Sequence, residues 1–307
     1  MSLPLPSIIS EPSVLVYNGN SFYSKDGFKL NYKRDTFKVV SDMAGELDER
    51  LLRDSVEISW NPAGQITAIN KFIPFTVADI GKSIFKLADN SVVIWTKSGK
   101  KHTWQRGAIT KMPQLRLQPS DTLFGDMTIT CIGKAATQPT DPAYFKAITS
   151  VPFADATFDE TAILTAIYSA AWGAAPYAAM GAMNGFQIDI GMTTSTITCD
   201  LGIADITLSS LSAGARFAPS NLSEADMDAL FDFQDAGAVL PGQSITKKDR
   251  DLVISSDVFS ATIYKAGPKG YAQMFASGKQ MHDAIEWGSR RTWAVGVADP
   301  LFALSVL

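Results

Sequence analysis

The sequence predicts a mainly β (α+β) fold built from two copies of one strand-rich module, each with one flanking α-helix. Runs that alternate apolar and polar residues occur along the whole chain, and such alternation is typical of half-buried strands. Each half has a single segment with helical spacing. The order of elements in residues 1–150 returns in residues 151–307, and the boundary falls in the turn-rich stretch from Thr140 to Asp159.

The strands of the first half follow from this alternation and from the turn residues between the runs. An Asn-Pro-Ala-Gly turn closes one of them, and Ser98-Gly99 predicts a hairpin between two others. The predicted strands are Val14–Tyr17, Phe28–Tyr32, Val56–Trp60, Gln65–Ile69, Ser91–Trp95, Lys101–Gln105, Gln114–Gln118 and Met127–Ile132.

One helix is predicted in each half. Thr76–Phe85 places its apolar residues on one face, with Thr76 as the N-cap and Asp79 completing a capping box. In the second half, Leu222–Phe231 follows Asn221, which forms a predicted capping box with Glu224.

The second half repeats this order. Gly185–Ile190 matches Gly27–Tyr32, and Asp251–Ser255 matches Ser91–Trp95. Two unrelated α+β domains are the alternative. The predicted strands of the second half are Gly185–Ile190, Thr196–Leu201, Ala204–Leu208, Asp251–Ser255, Val258–Lys265, Ala284–Trp287 and Thr292–Val297.

Composition and charge argue against several functional classes. Residues 1–150 hold 18 basic and 14 acidic side chains, and the remainder holds 9 and 17, without the dense basic patch of a nucleic-acid binder. Cys131 and Cys199 lie in apolar strands and are expected to be free and buried. No signal peptide is visible, and no segment favours membrane insertion.

A search for catalytic, cofactor and metal sites predicts none, so the chain is not expected to be an enzyme. His102 and His282 are expected to be surface strand residues without ligand-spaced partners. Gly81-Lys82-Ser83 resembles the end of a phosphate-binding loop, but Thr76 stands where that motif needs a glycine.

A run of mixed charge is the predicted contact site between subunits. It is expected to form a long loop between two strands, and its leucines among charges suit a protein interface better than a substrate site. The site residues are Asp42, Glu46, Leu47, Asp48, Glu49, Arg50, Leu51, Leu52 and Arg53.

The module order resembles the major tail tube proteins of long-tailed bacteriophages. The likeness lies in a charged connection before a strand that ends in a Pro-Gly turn, a lone helix in mid-module and a characteristic last strand. The matching segments are Asp42–Arg53, Val56–Trp60, Asn61–Gly64, Thr76–Phe85, Lys111–Gln118 and Phe124–Ile132.

This resemblance implies tail-tube-like β-sandwich modules whose strands join those of neighbouring subunits in a β-barrel that lines a tube. Tandem modules resemble the variety in which three chains form a pseudo-sixfold ring, and rings stack. It implies a virion tail protein, made in the host cytoplasm, that contacts itself and the tape measure, terminator and distal tail proteins. Viral DNA would pass through the lumen without sequence-specific binding.

Two alternatives stay open. A tail hub or distal tail protein uses the same modules. A ligand- or carbohydrate-binding β-sandwich protein is a different class, which aromatic residues on an exposed sheet face would favour.

Overall fold

The computed structural model describes residues 13–43, 45–63, 69–85, 90–97, 100–104, 106–118, 123–132, 146–147, 160–199, 202–230, 250–269, 283–290 and 300–307. Within these ranges strands dominate and the helices are short, which confirms the mainly β prediction. The predicted strands Gln65–Ile69 and Thr292–Val297 lie wholly or almost wholly outside the described residues.

The strands of the first half are β1 (Ser13–Tyr17), β2 (Asn20–Ser24), β3 (Lys29–Ser41), β4 (Gly45–Trp60), β5 (Pro62–Ala63), β6 (Val92–Thr96), β7 (Lys100–Trp104), β8 (Gly107–Lys111), β9 (Leu115–Leu117), β10 (Met127–Ile132) and β11 (Lys146–Ala147). Those of the second half are β12 (Ser169–Trp172), β13 (Phe186–Cys199), β14 (Gly202–Phe217), β15 (Arg250–Ser255), β16 (Phe259–Lys269), β17 (Ile285–Ser289) and β18 (Phe302–Val306). The α-helices are α1 (Ile69–Phe72), α2 (Glu160–Thr165) and α3 (Glu224–Leu230).

All these strands pair antiparallel, in three sheets. One sheet has the order β11-β7-β6-β1-β2-β5, and a second has the order β3-β4-β10-β8. The third runs β12-β15-β16-β17-β14-β13-β9, with β18 also paired to β16. Strand β9 comes from the first half of the chain, so the third sheet joins the two halves. The described strands of one chain form no closed barrel.

The charged run between Asp42 and Arg53 is not the predicted loop. Strands β3 and β4 form one long hairpin that is paired from Lys29 opposite Ser59 to Ser41 opposite Gly45. Asp42 therefore lies in the turn, and the other predicted contact residues lie in β4. Sequence reasoning predicted only the inner parts of the hairpin, Phe28–Tyr32 and Val56–Trp60. The described side chains of residues 33–49 are almost all exposed on both faces, so the outer part lacks the alternation that half-burial imposes.

Most of the pairing scheme of the first half returns in the second, although β2 and β5 have no counterpart strand among the described residues there. Hairpin β3–β4 corresponds to β13–β14, β10 to β17, β6 to β15 and β1 to β12. Strands β7 and β8 together correspond to the single long strand β16, since β7 pairs with β6 and β8 with β10. Strand β11 pairs with β7 as β18 pairs with β16.

The registers correspond residue by residue. Leu30 pairs with Ile58 as Ile188, 158 positions later, pairs with Ala215. The predicted match of Gly27–Tyr32 with Gly185–Ile190 has this same spacing, and both glycines have positive φ, 84° and 76°. Each paired residue of one hairpin therefore has a counterpart in the other.

Even the irregularities of the two hairpins coincide. Strand β3 has register shifts at Asp35/Thr36 and Val39/Val40, and β13 has them at Thr193/Thr194 and Ile197/Thr198. Bulges are specific features that bend and twist a strand. The two hairpins therefore share bends at matching positions as well as a pairing scheme.

The first predicted helix is wrong. Only Val77–Asp79 is helical, as a 3₁₀ turn in which the Asp79 carboxylate accepts hydrogen bonds from the Thr76 N–H (2.8 Å) and hydroxyl (3.0 Å). Gly81 then adopts a φ of 83°, and the chain continues as an extended segment along β14. Backbone pairing with another strand outweighs the helical pattern there.

The second predicted helix is confirmed as α3, but its cap is different. The Ser223 hydroxyl accepts a hydrogen bond from the Asp226 N–H (3.2 Å), while the Asp226 carboxylate accepts one from the Ser223 N–H (3.0 Å). The Ser223 hydroxyl also donates a hydrogen bond to the Asp226 carboxylate (2.6 Å), and this bond, together with that from the Ser223 N–H, lowers the pKa of Asp226. Asn221 instead accepts a hydrogen bond from the Gly181 N–H. Helix α2 was not predicted.

One hydrophobic core contains residues from both halves. Cys131 is free and buried, as predicted, and burial raises the pKa of its thiol well above the usual range. His102 lies in a strand but is buried beside the nearly parallel ring of Trp104, so the prediction of a surface histidine is wrong. The side chain of Cys199 and residue His282 lie outside the described parts.

Candidate assembly surface

The outer part of hairpin β3–β4 projects beyond the sheet to which it belongs. Strand β10 pairs with β4 only from Ser55 to Trp60. We call residues 34–54, beyond that ladder, the first arm. Its counterpart in β13–β14, residues 192–211, is the second arm.

The first arm exposes large apolar side chains. Phe37 is 54% exposed, Val40 66%, Met43 98% and Leu47 59%. Every described side chain from residue 34 to residue 49 is exposed except those of Val39 and Ser41, which are half-buried. Four exposed large apolar side chains on one hairpin make it a candidate interaction site.

Polar contacts across the first arm hold its two strands to each other. The Lys38 ammonium lies 2.8 Å from the Glu46 carboxylate, and the Thr36 hydroxyl donates a hydrogen bond to Glu49 Oε1 (2.5 Å). Exposed ion pairs of this kind add little stability. A two-stranded ribbon is marginal in water without a sheet or helix packed against it, so the first arm would gain from a partner.

Both backbone edges of the first arm are open within the described chain. Strand β3 pairs only with β4 there, and no described strand pairs with residues 45–54 on the side away from β3. Open strand edges are ready-made sites for pairing with another chain, and proteins usually protect them.

The second arm differs at β14, which pairs with the first half of its own chain. Its other strand, β13, pairs beyond Ile188 with no described strand except β14, and Ile197 there is 49% exposed. The extended segment Gly81–Ile84 runs along β14, with the Gly81 N–H bonded to the Leu208 carbonyl (2.7 Å) and the Ile84 N–H to the Ile206 carbonyl (2.9 Å). The Leu208 N–H returns a bond to the Lys82 carbonyl (3.0 Å). The side chains of Ile206 and Leu208 are buried in the hydrophobic core.

Side chains reinforce this contact. The Ser83 hydroxyl donates a hydrogen bond to Asp205 Oδ1 (2.7 Å), and the Arg106 guanidinium lies 3.8 Å from the same oxygen. All three side chains are partly buried. Segment Gly81–Ile84 and β14 therefore form a specific junction with polar side-chain contacts of its own.

A second junction lies at the base of the same hairpin. Strand β9 pairs with the start of β13, with Leu115 opposite Ile188 and Leu117 opposite Phe186. The Gln114 amide donates a hydrogen bond to the Asp189 carboxylate beside this ladder. An open cavity of about 420 Å³ adjoins these residues. The first half therefore contacts the second hairpin on both of its strands.

Gly185 is expected to be the least replaceable glycine at this junction. A Cβ there would lie 2.6 Å from the Leu117 carbonyl oxygen, and its φ of 76° disfavours any side chain. Gly185→Ala should lower the free energy of unfolding by about 1 kcal/mol for the backbone strain and by a further ~1–3 kcal/mol for the clash, measured by urea denaturation.

Gly19→Ala is the matched control, because Gly19 has a similar φ of 71° but open space where its Cβ would stand. Equal losses in the two variants would show that the β9–β13 contact is not tight.

The predicted contact residues are thus brought to one place, although not in a loop. Asp42, Glu46, Leu47, Asp48 and Glu49 are exposed on the first arm. Residues 50–53 lie in β4, and their side chains fall outside the described parts.

Sequence reasoning missed the apolar members on the opposite strand and in the turn, which are Phe37, Val40 and Met43. Large apolar residues scattered among charges on both sides of a short turn were the available signal.

The described residues contain no cluster of three or more potential metal ligands. Nor does any helix among them have the length and apolar character needed to cross a membrane. No protein-family model matches the chain, and a search of curated proteins gave no significant match.

Proposed function

We propose that this protein is a structural subunit of a bacteriophage tail tube and polymerises into stacked rings. The observation that carries the proposal is the first arm, with exposed apolar side chains and two open strand edges, one of which has a counterpart in β14 that is paired within the chain. A surface of this kind suits a protein that is completed by another copy of itself.

The repeated pairing supports a chain of two tail-tube-like β-sandwich modules, residues 1–150 and 151–307, each able to contribute strands to a barrel between subunits. Three chains would then supply six modules to one pseudo-sixfold ring. Contacts that join unlike surfaces of successive copies close into rings or extend as filaments, according to the rotation between copies. A stacked tube contains both kinds of contact, those that close each ring and those that extend the stack of rings.

In this proposal the protein acts as a conduit and not as a catalyst. Its partners are other copies of itself, the proteins at the two ends of the tube and the tape measure protein within it. DNA passes through without sequence-specific binding. The mixed charge of the chain, −4 overall, gives no strong electrostatic attraction to a phosphate backbone.

Negative-stain electron microscopy of the purified protein over a concentration series tests this function. Hollow tubes or stacked rings with threefold or pseudo-sixfold end views are the expected result. Size-exclusion chromatography with light scattering provides the mass of any ring released from them. A dispersed monomer at every concentration would contradict the proposal.

A further inference from the structure

The two hairpins have the same register but different surroundings. The second is held by two segments of the first half, β9 on β13 and Gly81–Ile84 on β14. In the described residues, neither segment has an equivalent on the first hairpin. The described chain thus contains two similar hairpins, of which only the second is paired with these two segments.

The counterpart positions can be read from the ladders. In the second arm, Leu208 lies opposite Thr194 and Ile206 opposite Thr196. At the same positions of the first arm, Leu51 lies opposite Thr36 and Glu49 opposite Lys38. The backbone groups of β14 that form hydrogen bonds with Gly81–Ile84 therefore correspond to the backbone groups of Glu49–Leu51 in β4.

The base of the hairpin gives a second correspondence. Gln187 and Ile188, which pair with β9, match Lys29 and Leu30 of β3. These positions lie on the opposite edge from Glu49–Leu51, as the two junctions do in the second hairpin. Phe28, which precedes these positions and corresponds to Phe186, already forms a β-bridge, so the open site is defined by Glu49–Leu51 alone.

We infer that the first hairpin is bound by the second half of another copy of this chain, which pairs with Glu49–Leu51. The inference rests on the proposed function and names its partner surface. In every copy, the first half is already paired with the second hairpin of the same chain. The second half, which corresponds to the first, is therefore the part of a neighbouring copy that is expected to bind the first hairpin.

The burial difference between the arms agrees with this assignment. Leu208 is fully buried and Ile206 is 3% exposed, whereas Glu49, the counterpart of Ile206, is exposed together with residues 45–48 before it. The contact joins unlike surfaces, because the first half of one copy meets the second half of the next. Such head-to-tail contacts generate rings in which all hairpin sites are filled.

Photo-cross-linking in the full-length protein tests the inference. The probe p-benzoylphenylalanine replaces Arg50, the counterpart of Thr207, which bridges to Ser83. Chains with natural and ¹⁵N isotopes are mixed before assembly and irradiated, and cross-linked peptides are identified by mass spectrometry. Mixed-isotope cross-links from position 50 into residues 151–307 are expected.

Thr207→p-benzoylphenylalanine is the matched control and should give only same-isotope cross-links, into the region of Gly81–Ile84. A second variant carries the probe at Glu49 instead, in case the bulky group at position 50 prevents the two copies from binding. Each sample is checked for tubes by electron microscopy. If tubes form but both probes cross-link only within one chain or into residues 1–150, the inference is wrong and the proposed function stands. If neither tubes nor intermolecular cross-links occur at any concentration, both are wrong.

Discussion

Shortening the first hairpin is expected to abolish tube formation while leaving the chain folded. In this variant Asn-Gly replaces residues 36–52 and connects Asp35 to Arg53. These two residues are already opposite each other in the ladder. Asn-Gly favours the tight turns that connect antiparallel strands. The variant lacks the exposed apolar residues of the arm and the backbone of Glu49–Leu51, so it has little left for another copy to bind.

The fold should tolerate this change because the arm contributes little to the core. All described side chains of the replaced segment are exposed or half-buried, and exposed positions usually contribute within ±0.5 kcal/mol each. Removing residues 42–53 alone would be a poorer test, since it would leave most of β3 without its paired strand. The thermal midpoint of the shortened variant should stay within a few degrees of that of the parent.

The matched control shortens the second arm, with Asn-Gly in place of residues 194–209. That change removes the buried residues Ile206 and Leu208 and the bonds to Gly81–Ile84, so it should lower the thermal midpoint strongly. Electron microscopy and light scattering report assembly, and circular dichroism reports folding. Tubes formed by the shortened first-arm variant would refute a role for this arm in assembly.

The alternation of apolar and polar residues predicted the strands that have one face in the core and one in solvent. It did not predict the part of a strand that is exposed on both faces. In β4, Val56, Ile58 and Trp60 are buried while the residues between them are half-buried, and the sequence shows that pattern directly. From Gly45 to Glu49 every side chain is exposed, so the same strand carries no such signal. Its pairing depends on β3, a contact that no local pattern encodes.

The misassigned helix shows a similar limit. The local capping interaction of Thr76 and Asp79 was predicted correctly, but the chain turns at Gly81 and pairs with β14, which lies more than a hundred residues away. Long-range backbone bonds of this kind override weak helical propensity. At α3 the helix was predicted correctly but its cap was not. Ser223 and Asp226 form the capping hydrogen bonds that had been assigned to Asn221 and Glu224.

The candidate site was predictable in position but not in form. Leucines among charges pointed to an interface, and that run does lie on the exposed arm. What the sequence could not provide is the contrast between two hairpins of equal register, of which only the second pairs with another described segment along the outer part of its later strand. That contrast depends on how the halves pack, and it is the basis for assigning the partner.

Trp287→Ala is expected to be the most destabilising single substitution in the described core. Trp287 is fully buried, its ring is nearly parallel to that of Phe217 at 5.8 Å, and it meets Trp172 edge-on at 5.2 Å. These rings connect β17 with β14 and β12. Replacing a buried tryptophan with alanine typically costs about 3–5 kcal/mol.

Two controls separate the sources of this loss. Trp287→Phe keeps an aromatic ring and removes an indole N–H that has no acceptor among the described residues, so it should cost less than the alanine variant. Trp95→Ala removes a half-buried ring on β6 whose face meets Lys101, and it should cost less for lack of a buried cavity. Denaturant unfolding measures all three variants.

The size of the loss also bears on assembly. Native domains are stable by about 5–15 kcal/mol, so a loss of 3–5 kcal/mol would populate unfolded chains and reduce tube yield without any change at the arm. Trp287→Ala should therefore lose tubes and thermal stability together, whereas the shortened first arm should lose tubes alone. An alanine variant with unchanged unfolding would show that the aromatic contacts around Trp287 do not hold β17 in place.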